Sequence, residues 1–573
     1  MLWQFRFIHL LPFFFPLLVV VTTLVMTLGE RRPAIGLILL CTVVLVYRTA
    51  FFHYEEIEVY SDLRFEYLRR IELGQLPIVD YPSPVPWFEA QPLSYLSLHY
   101  LSSLAQLPPP LAAKLLRTLL GLTNLLFVFL LAYALTRSRR VALLAAALFV
   151  TSFVEFWDSM ATQFKQGTGQ AFWYAFLALF FLALSGGSLG RWPTAFPLGL
   201  CLVGATLGHK LFLFTAPVLL IPPALGTRYL GRRAGRFLWV LFLLLLAFVL
   251  PPILYLMGTL VDRWPWAASL RESAIFAGLR TPERLTKIGP FGWLGQLLAL
   301  ASGVVTLTTM LAAQPVSASS RTAWYLAGGM AMVGVSFSAL YFFGLPVDGG
   351  RALQLIWPLV CTFLALTLHM AARRASQHLQ DRRLFAVGLL LVLPVWALAN
   401  LWNVMVDPET HSIELALRTP LPELWPLIYG TVFRERGPLI EAVTMVVALA
   451  VVTFVGAPVA RALGARYDSD QDRLVRQVLW WSAPLWGLLF LTMGGTISLT
   501  AVRAGVIDRS LALALGVVLG EILSLLSGAF LRRSTVVGRK SSSPRNSMQP
   551  RRGFGPSVVA RGAKTRRHTR GTG

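Results

Sequence analysis

The sequence predicts an all-α polytopic membrane protein, a helical bundle of about 13–15 transmembrane helices. Three observations carry that prediction. Only 14% of the 573 residues are charged and 56% are hydrophobic, with a mean hydropathy of +0.64; soluble domains average about 25% charged residues. Apolar runs of about 15–25 residues recur along the whole length. No interval between them is long enough to bury a core of its own, so no soluble domain is expected.

Taken in order, the apolar runs place spans at 7–28, 34–52, 111–135, 141–157, 171–184, 195–208, 211–225 and 237–257. Further runs lie at 291–312, 323–345, 353–370, 384–405, 439–460, 478–498 and 510–531. The first is a span rather than a cleaved leader, because Glu30-Arg31-Arg32 follows it without a small-residue cleavage site. The third begins after Pro108-Pro109-Pro110. The runs at 195–208 and 211–225 are separated only by His209 and Lys210. A helix of about 15 residues rises roughly 22 Å, less than the hydrocarbon core, so this pair is expected as a shallow hairpin lining a cavity.

Lysine and arginine orient the spans. Glu30-Arg31-Arg32, Arg137/Arg139/Arg140, Arg191, Arg228/Arg232/Arg233/Arg236, Arg321, Arg373/Arg374/Arg382/Arg383 and Arg461/Arg466 fall on one side when spans alternate. The first long polar interval falls on the other; between His53 and Gln91 it holds eight acids against three arginines. Only 258–290, with five basic residues against three acids, runs against the rule. The protein is expected in the plasma membrane with its N-terminus outside and its C-terminus cytoplasmic.

The net charge of +24 is uneven, since the stretch from Arg532 to Arg570 carries twelve basic residues and no acid. Rich in Ser, Gly and Pro, 532–573 is expected to be a disordered cytoplasmic tail. Beside a membrane helix such a tail meets anionic lipid headgroups rather than nucleic acid. Cys41, Cys201 and Cys361 all fall inside apolar runs without metal-ligand spacing and are expected as small buried hydrophobes. The chain has no phosphate-cradling GxxxxGK[ST], HExxH or EF-hand loop. Without a nucleotide-binding loop, a primary pump is not expected. Glu521 sits within an apolar run, and few other charges lie within such runs. Trp264, Trp266, Trp425 and Tyr429, in the other outer loops, read as an interfacial belt.

The chemistry is concentrated in the acidic first loop. Ser61 is a good N-cap for a helix that begins at Asp62, places Glu66 one turn on, and ends at Gly74. Leu76 to Trp87 is extended and proline-rich and carries Asp80 and Tyr81. Glu89 and Pro92 lead into an amphipathic stretch, 93–107, expected to lie in the membrane interface.

Several of these stretches share an order with a known family. They are Ser61-Asp62, Gly74-Gln75, Pro77-Ile78-Val79-Asp80-Tyr81, Glu89-Ala90-Gln91-Pro92, Ala112 to Arg117, Arg139-Arg140, Gly204 to Lys210, and Gly350-Arg351-Ala352-Leu353 through Trp357-Pro358. Over roughly Asp62 to Met370 they resemble GT-C fold glycosyltransferases that use polyprenyl-phosphate sugars, the protein mannosyltransferase / aminoarabinose transferase-like superfamily. The resemblance implies a GT-C-like module over 1–405 with an outer catalytic loop at 53–110. A C-terminal outer loop with three further helices, 406–531, and the basic tail would follow.

It implies transfer of a sugar from a polyprenyl-phosphate-linked donor to a lipid, glycan or protein acceptor on the outer face. Asp62 would act as base, with Asp80 or Asp158 as its partner, and Glu66 and Glu89 would line the substrate. Lys114, Lys210 and Arg351 would stabilise the leaving phosphate. Direct attack would invert the anomeric centre. Two features depart from the family pattern. Leu63 stands where the mannosyltransferase branch has a glutamate, and Asp158 lies early in its loop, with Lys165-Gln166-Gly167 at the later positions. No metal ligand is assigned, and a divalent metal is left unsupported. A polysaccharide polymerase, or a lipid-linked glycan transporter or flippase without transferase chemistry, are the competing classes.

Overall fold

The computed structural model describes residues 32–52, 75–80, 92–105, 107, 109–152, 155, 164–186, 188–189, 191–226, 234–244, 246–247, 301, 303–311, 318–342, 349–378, 438–466 and 473–541. The spans expected at 7–28 and 384–405, and the tail beyond 541, lie outside the described residues. The helices are α1 Pro33–Phe52, α2 Pro92–Ala105, α3 Pro109–Thr136, α4 Arg139–Val150, α5 Phe164–Ser185, α6 Trp192–Gly208 and α7 Lys210–Leu219. They continue as α8 Ile221–Leu225, α9 Ala318–Phe342, α10 Gly349–His378, α11 Pro438–Gly464, α12 Arg473–Trp481, α13 Ala483–Arg503 and α14 Arg509–Ser541. No strand occurs among the described residues. Among the described residues six helices, α3, α5, α10, α11, α13 and α14, contain stretches long and apolar enough to cross a membrane. The outward faces of α11 and α14 expose Val446, Phe454, Val518 and Leu526 at 53–69%. Water-facing helices do not carry such stripes, whereas lipid-facing ones do. The protein is an all-α membrane protein.

α5 is the central helix. It is apolar all round, as a helix enclosed by others must be, and its aromatic rings stack along one side, Trp173 on Phe176 and Phe176 on Phe180. Its neighbour α10 contains Pro358, which lacks an N–H and so frees the carbonyl of Gln354 one turn earlier. Tyr174 of α5 donates its hydroxyl to that carbonyl at 2.7 Å, and Trp173 Nε1 donates to the carbonyl of Leu355 at 2.9 Å. The proline therefore costs the membrane interior no open backbone group at this position.

Two expected spans end or divide where the sequence reading continued them. The run at 141–157 begins as α4, which opens on Ser138 and closes at Thr151; of 153–157 only Glu155, itself helical, is described. There the Thr151 hydroxyl donates back to the carbonyl of Ala147 at 2.9 Å. The run at 478–498 divides at Ser482 into the end of α12 and α13. Pro484 cannot continue a helix through its own first turn. The Ser482 hydroxyl donates to the carbonyl of Leu479 at 2.7 Å and accepts from Trp486 Nε1 at 3.1 Å. The last helix runs on to Ser541, into the stretch expected as tail. The three cysteines carry free thiols, with Cys201 and Cys361 buried and Cys41 half-buried.

The three C-terminal helices α11, α13 and α14 pack through small residues, which let backbones approach closely where the hydrophobic effect is absent. A Cβ on Gly487 would strike the carbonyl oxygen of Val452, and one on Gly456 would strike that of Ala483. On the other face of α13, Gly494 and Gly495 lie against Gly516 and Gly520 of α14. Gly487→Leu is expected to destabilise the protein by about 1–3 kcal/mol, because a backbone carbonyl cannot move aside as a side chain can. Thermal unfolding in detergent checks this: an unchanged midpoint would remove the α11–α13 contact from the account.

Helix pairings fix which ends lie together. At one end, Arg48 near the end of α1 packs against Gly121 and donates to the carbonyl of Arg117 near the start of α3. The backbones of Gly169 in α5 and Gly208 at the end of α6 touch, and Ser94 of α2 donates to the Gly208 carbonyl. The starts of α5 and α10 meet through Trp173 and Tyr174. At the opposite end, Ser185 of α5 donates to the carbonyl of Ala134 in α3. Phe196 meets Phe530, Trp324 meets Phe363, and Arg461 lies over Trp480. Arg137, Arg139, Arg140, Arg191, Arg321, Arg461, Arg473 and Arg476 all belong to this second end.

Candidate functional site

The first end of the bundle is organised around a tight turn, Gln75 to Asp80. Asp80 N–H donates to the carbonyl of Leu76 at 3.1 Å, and Leu76 N–H donates back to Asp80 Oδ2 at 2.7 Å. Between them Ile78 is buried with φ at 71°. A β-branched residue in the left-handed region is an outlier that only an over-determined surrounding keeps. That surrounding comes from the far end of the chain. Arg503 Nη1 donates to the Ile78 carbonyl at 2.9 Å, and Arg509 Nη2 donates to Asp80 Oδ1 at 2.6 Å. Arg503 and Arg509 flank the α13–α14 connection and clamp the first-loop turn.

Behind the turn stands α2. It was expected in the interface, and this is corrected: Pro92 to Ser102 is buried throughout, packed against α3, α6, α11 and α13. The helix carries no charge, and its polar groups are hydroxyls, a phenol and an imidazole, which a bundle interior accepts when they find carbonyls. Ser102 donates to the carbonyl of Leu107 and Tyr95 to that of Gln75, both at 2.6 Å. Tyr100 lies against Gly495 of α13 and Gly516 of α14, where only glycine leaves room for its ring. Ser97 Oγ, Tyr100 OH and both His99 nitrogens have no hydrogen-bond partner among the described residues. Burial holds the His99 imidazole below its ordinary pKa, so it is neutral at pH 7.

Of the residues expected to act, Asp80 is the described carboxylate, and both its oxygens are engaged as above. Lys114 lies in the second turn of α3, Lys210 opens α7, and Arg351 lies in the first turn of α10. These three helix starts belong to the same end of the bundle as the turn at Asp80. Asp62, Glu66, Glu89 and Asp158 lie outside the described residues.

Three charged groups escaped the sequence reading. Glu155 is 0% exposed and accepts from Arg48 Nε at 2.7 Å, with Arg48 itself 3% exposed. Arg117 is buried beside them, its carbonyl accepting from Arg48 Nη1 at 3.0 Å. All three fall inside runs read as spans, and the rule that an ionisable residue in an apolar run is functional by default applied to them as much as to Glu521. Glu521 is half-buried on α14, and its Oε2 has no hydrogen-bond partner among the described residues. A second omission is Asp468-Ser469-Asp470-Gln471-Asp472, an Asp-x-Asp-x-Asp run between α11 and α12 that lies outside the described residues. Among the described residues no group of three or more His, Cys, Asp or Glu could hold a metal ion.

Compared with family models, curated proteins and solved structures, the chain finds no match in any of the three.

Proposed function

We propose that this chain is an integral-membrane glycosyltransferase that moves a sugar from a polyprenyl-phosphate-linked donor to a lipid, glycan or protein acceptor. The observation that carries the reading is the gathering, at one end of the bundle, of the Gln75–Asp80 turn with the helix starts that bear Lys114, Lys210 and Arg351. In the reaction, Asp62 takes the proton of the acceptor hydroxyl. That oxygen bonds to the anomeric carbon, and the bond from that carbon to the phosphate oxygen breaks. The lysines and arginine stabilise the charge left on the phosphate. Asp80 serves as the anchor of the loop rather than as a second base, because its two oxygens are occupied by Arg509 and the Leu76 amide. This end faces outward and the arginine-rich end faces the cytoplasm, as the distribution of basic residues favours.

The buried trio Arg48, Arg117 and Glu155 favours a second reading, a flippase for lipid-linked glycans, because buried charges mark transport paths. Proteoliposomes loaded with radiolabelled polyprenyl-phosphate sugars and mixed acceptors separate the two. The enzyme reading expects label to leave the carrier and appear in acceptor. Label that changes leaflet while staying on the carrier overturns it in favour of the flippase.

A further inference from the structure

At the arginine-rich end, on the opposite side of the bundle from the proposed site, a groove of about 1190 Å³ opens between α1, α3, α11, α12 and α13. It is larger than the roughly 300–1,000 Å³ of sites for drug-sized ligands. Its wall changes character along its length. Inward it is apolar, lined by Leu45, Leu122 and Leu449; at its mouth stand Arg461, Arg476, Trp480 and Trp481. From Leu449 to Arg461 is twelve residues of α11, about 18 Å of helix rise. Half of a bilayer's hydrocarbon core is about 15 Å. The groove is thus one leaflet deep, with cations and indole rings where the headgroups of that leaflet lie.

We propose that this groove is a binding site for an anionic glycerophospholipid, its phosphate between Arg461 and Arg476 and its acyl chains along α1, α3 and α11. Arg461 is held over the Trp480 ring at 5.3 Å, which positions its guanidinium at the mouth. Guanidinium matches a phosphate in charge and geometry, and tryptophan belongs at headgroup depth. The one-leaflet depth favours a diacyl lipid over a polyprenyl carrier, whose longer chain exceeds it. Asp468, Asp470 and Asp472 follow in the segment between α11 and α12, outside the described residues.

The experiment uses the full chain in nanodiscs of phosphatidylcholine containing phosphatidylglycerol, followed by detergent extraction and native mass spectrometry. The native protein is expected to retain phosphatidylglycerol over phosphatidylcholine. Arg461→Ala with Arg476→Ala is expected to lower that retention about tenfold or more. Arg461→Lys with Arg476→Lys is expected to keep most of it. Leu45→Trp with Leu122→Trp, which fills the apolar part and leaves both arginines, is expected to lose it. Equal retention of both lipids by the native protein, unchanged retention in the two loss variants, or preferred retention of a polyprenyl phosphate at equal mole fraction would each overturn the proposal.

Discussion

Glu155→Ala is expected to cost about 3–5 kcal/mol of stability, because it removes the carboxylate that faces the buried Arg48 guanidinium. The pair is made at 2.7 Å with both side chains 3% exposed or less, so water cannot take the place of the carboxylate. Arg117, buried beside them, would then add like-charge repulsion. Gly121 adds a constraint, since the Arg48 guanidinium lies directly against it. Glu155→Gln keeps an acceptor for Arg48 Nε and should lose less. The double change Arg48→Met with Glu155→Leu should recover most of the loss, because two apolar groups of similar volume avoid the desolvation that the ion pair offsets. Thermal unfolding in detergent is the measurement. A Glu155→Ala protein as stable as the native one would mean that the pair contributes nothing. A double variant no better than the single would point to a role beyond charge balance, which the flippase reading requires.

Sequence periodicity made the long helices legible and local exceptions less so. The runs at 34–52, 111–135 and 439–460 became α1, α3 and α11 almost end for end, because a long apolar run in lipid has only the helix available to it. The break at Ser482 was written in Pro484 but hidden by the apolar residues on either side. Burial of α2 was not legible: its serines, His99 and Tyr100 read as a polar face, and only the glycines on α13 and α14 make room for them inside. Pro358 announces a free carbonyl on α10 but not that Tyr174 of α5 would fill it. The candidate site follows the same division. Helix starts bearing Lys114, Lys210 and Arg351 could be anticipated from their spans. The clamp on Asp80 joins residues 429 positions apart, and no local pattern encodes a partner at that distance.

That clamp lets the two aspartates be told apart by what each substitution changes. If the chain is the transferase proposed above, Asp62→Asn is expected to lower kcat about 10²–10⁴-fold, the usual worth of a positioned base. It should leave the unfolding midpoint in place, since asparagine keeps the size of aspartate and the expected N-cap, Ser61, is untouched. Asp80→Asn should do the reverse. It removes the charge that faces Arg509, a pair 59% and 25% exposed, so its cost in stability is about 0–1 kcal/mol. The larger consequence is local: the turn that holds Ile78 at a positive φ loses half its clamp, and limited proteolysis within 75–80 should become faster. Arg509→Gln should reproduce that effect, and combining it with Asp80→Asn should add little, because both act through one contact. Transfer activity then separates base from anchor. If Asp80→Asn lowers kcat as far as Asp62→Asn while Arg509→Gln does not, the carboxylate of Asp80 acts on substrate and the anchor assignment fails. If Asp80→Asn and Arg509→Gln fall together by a smaller factor, the C-terminal helices, through Arg503 and Arg509, hold the catalytic loop in place.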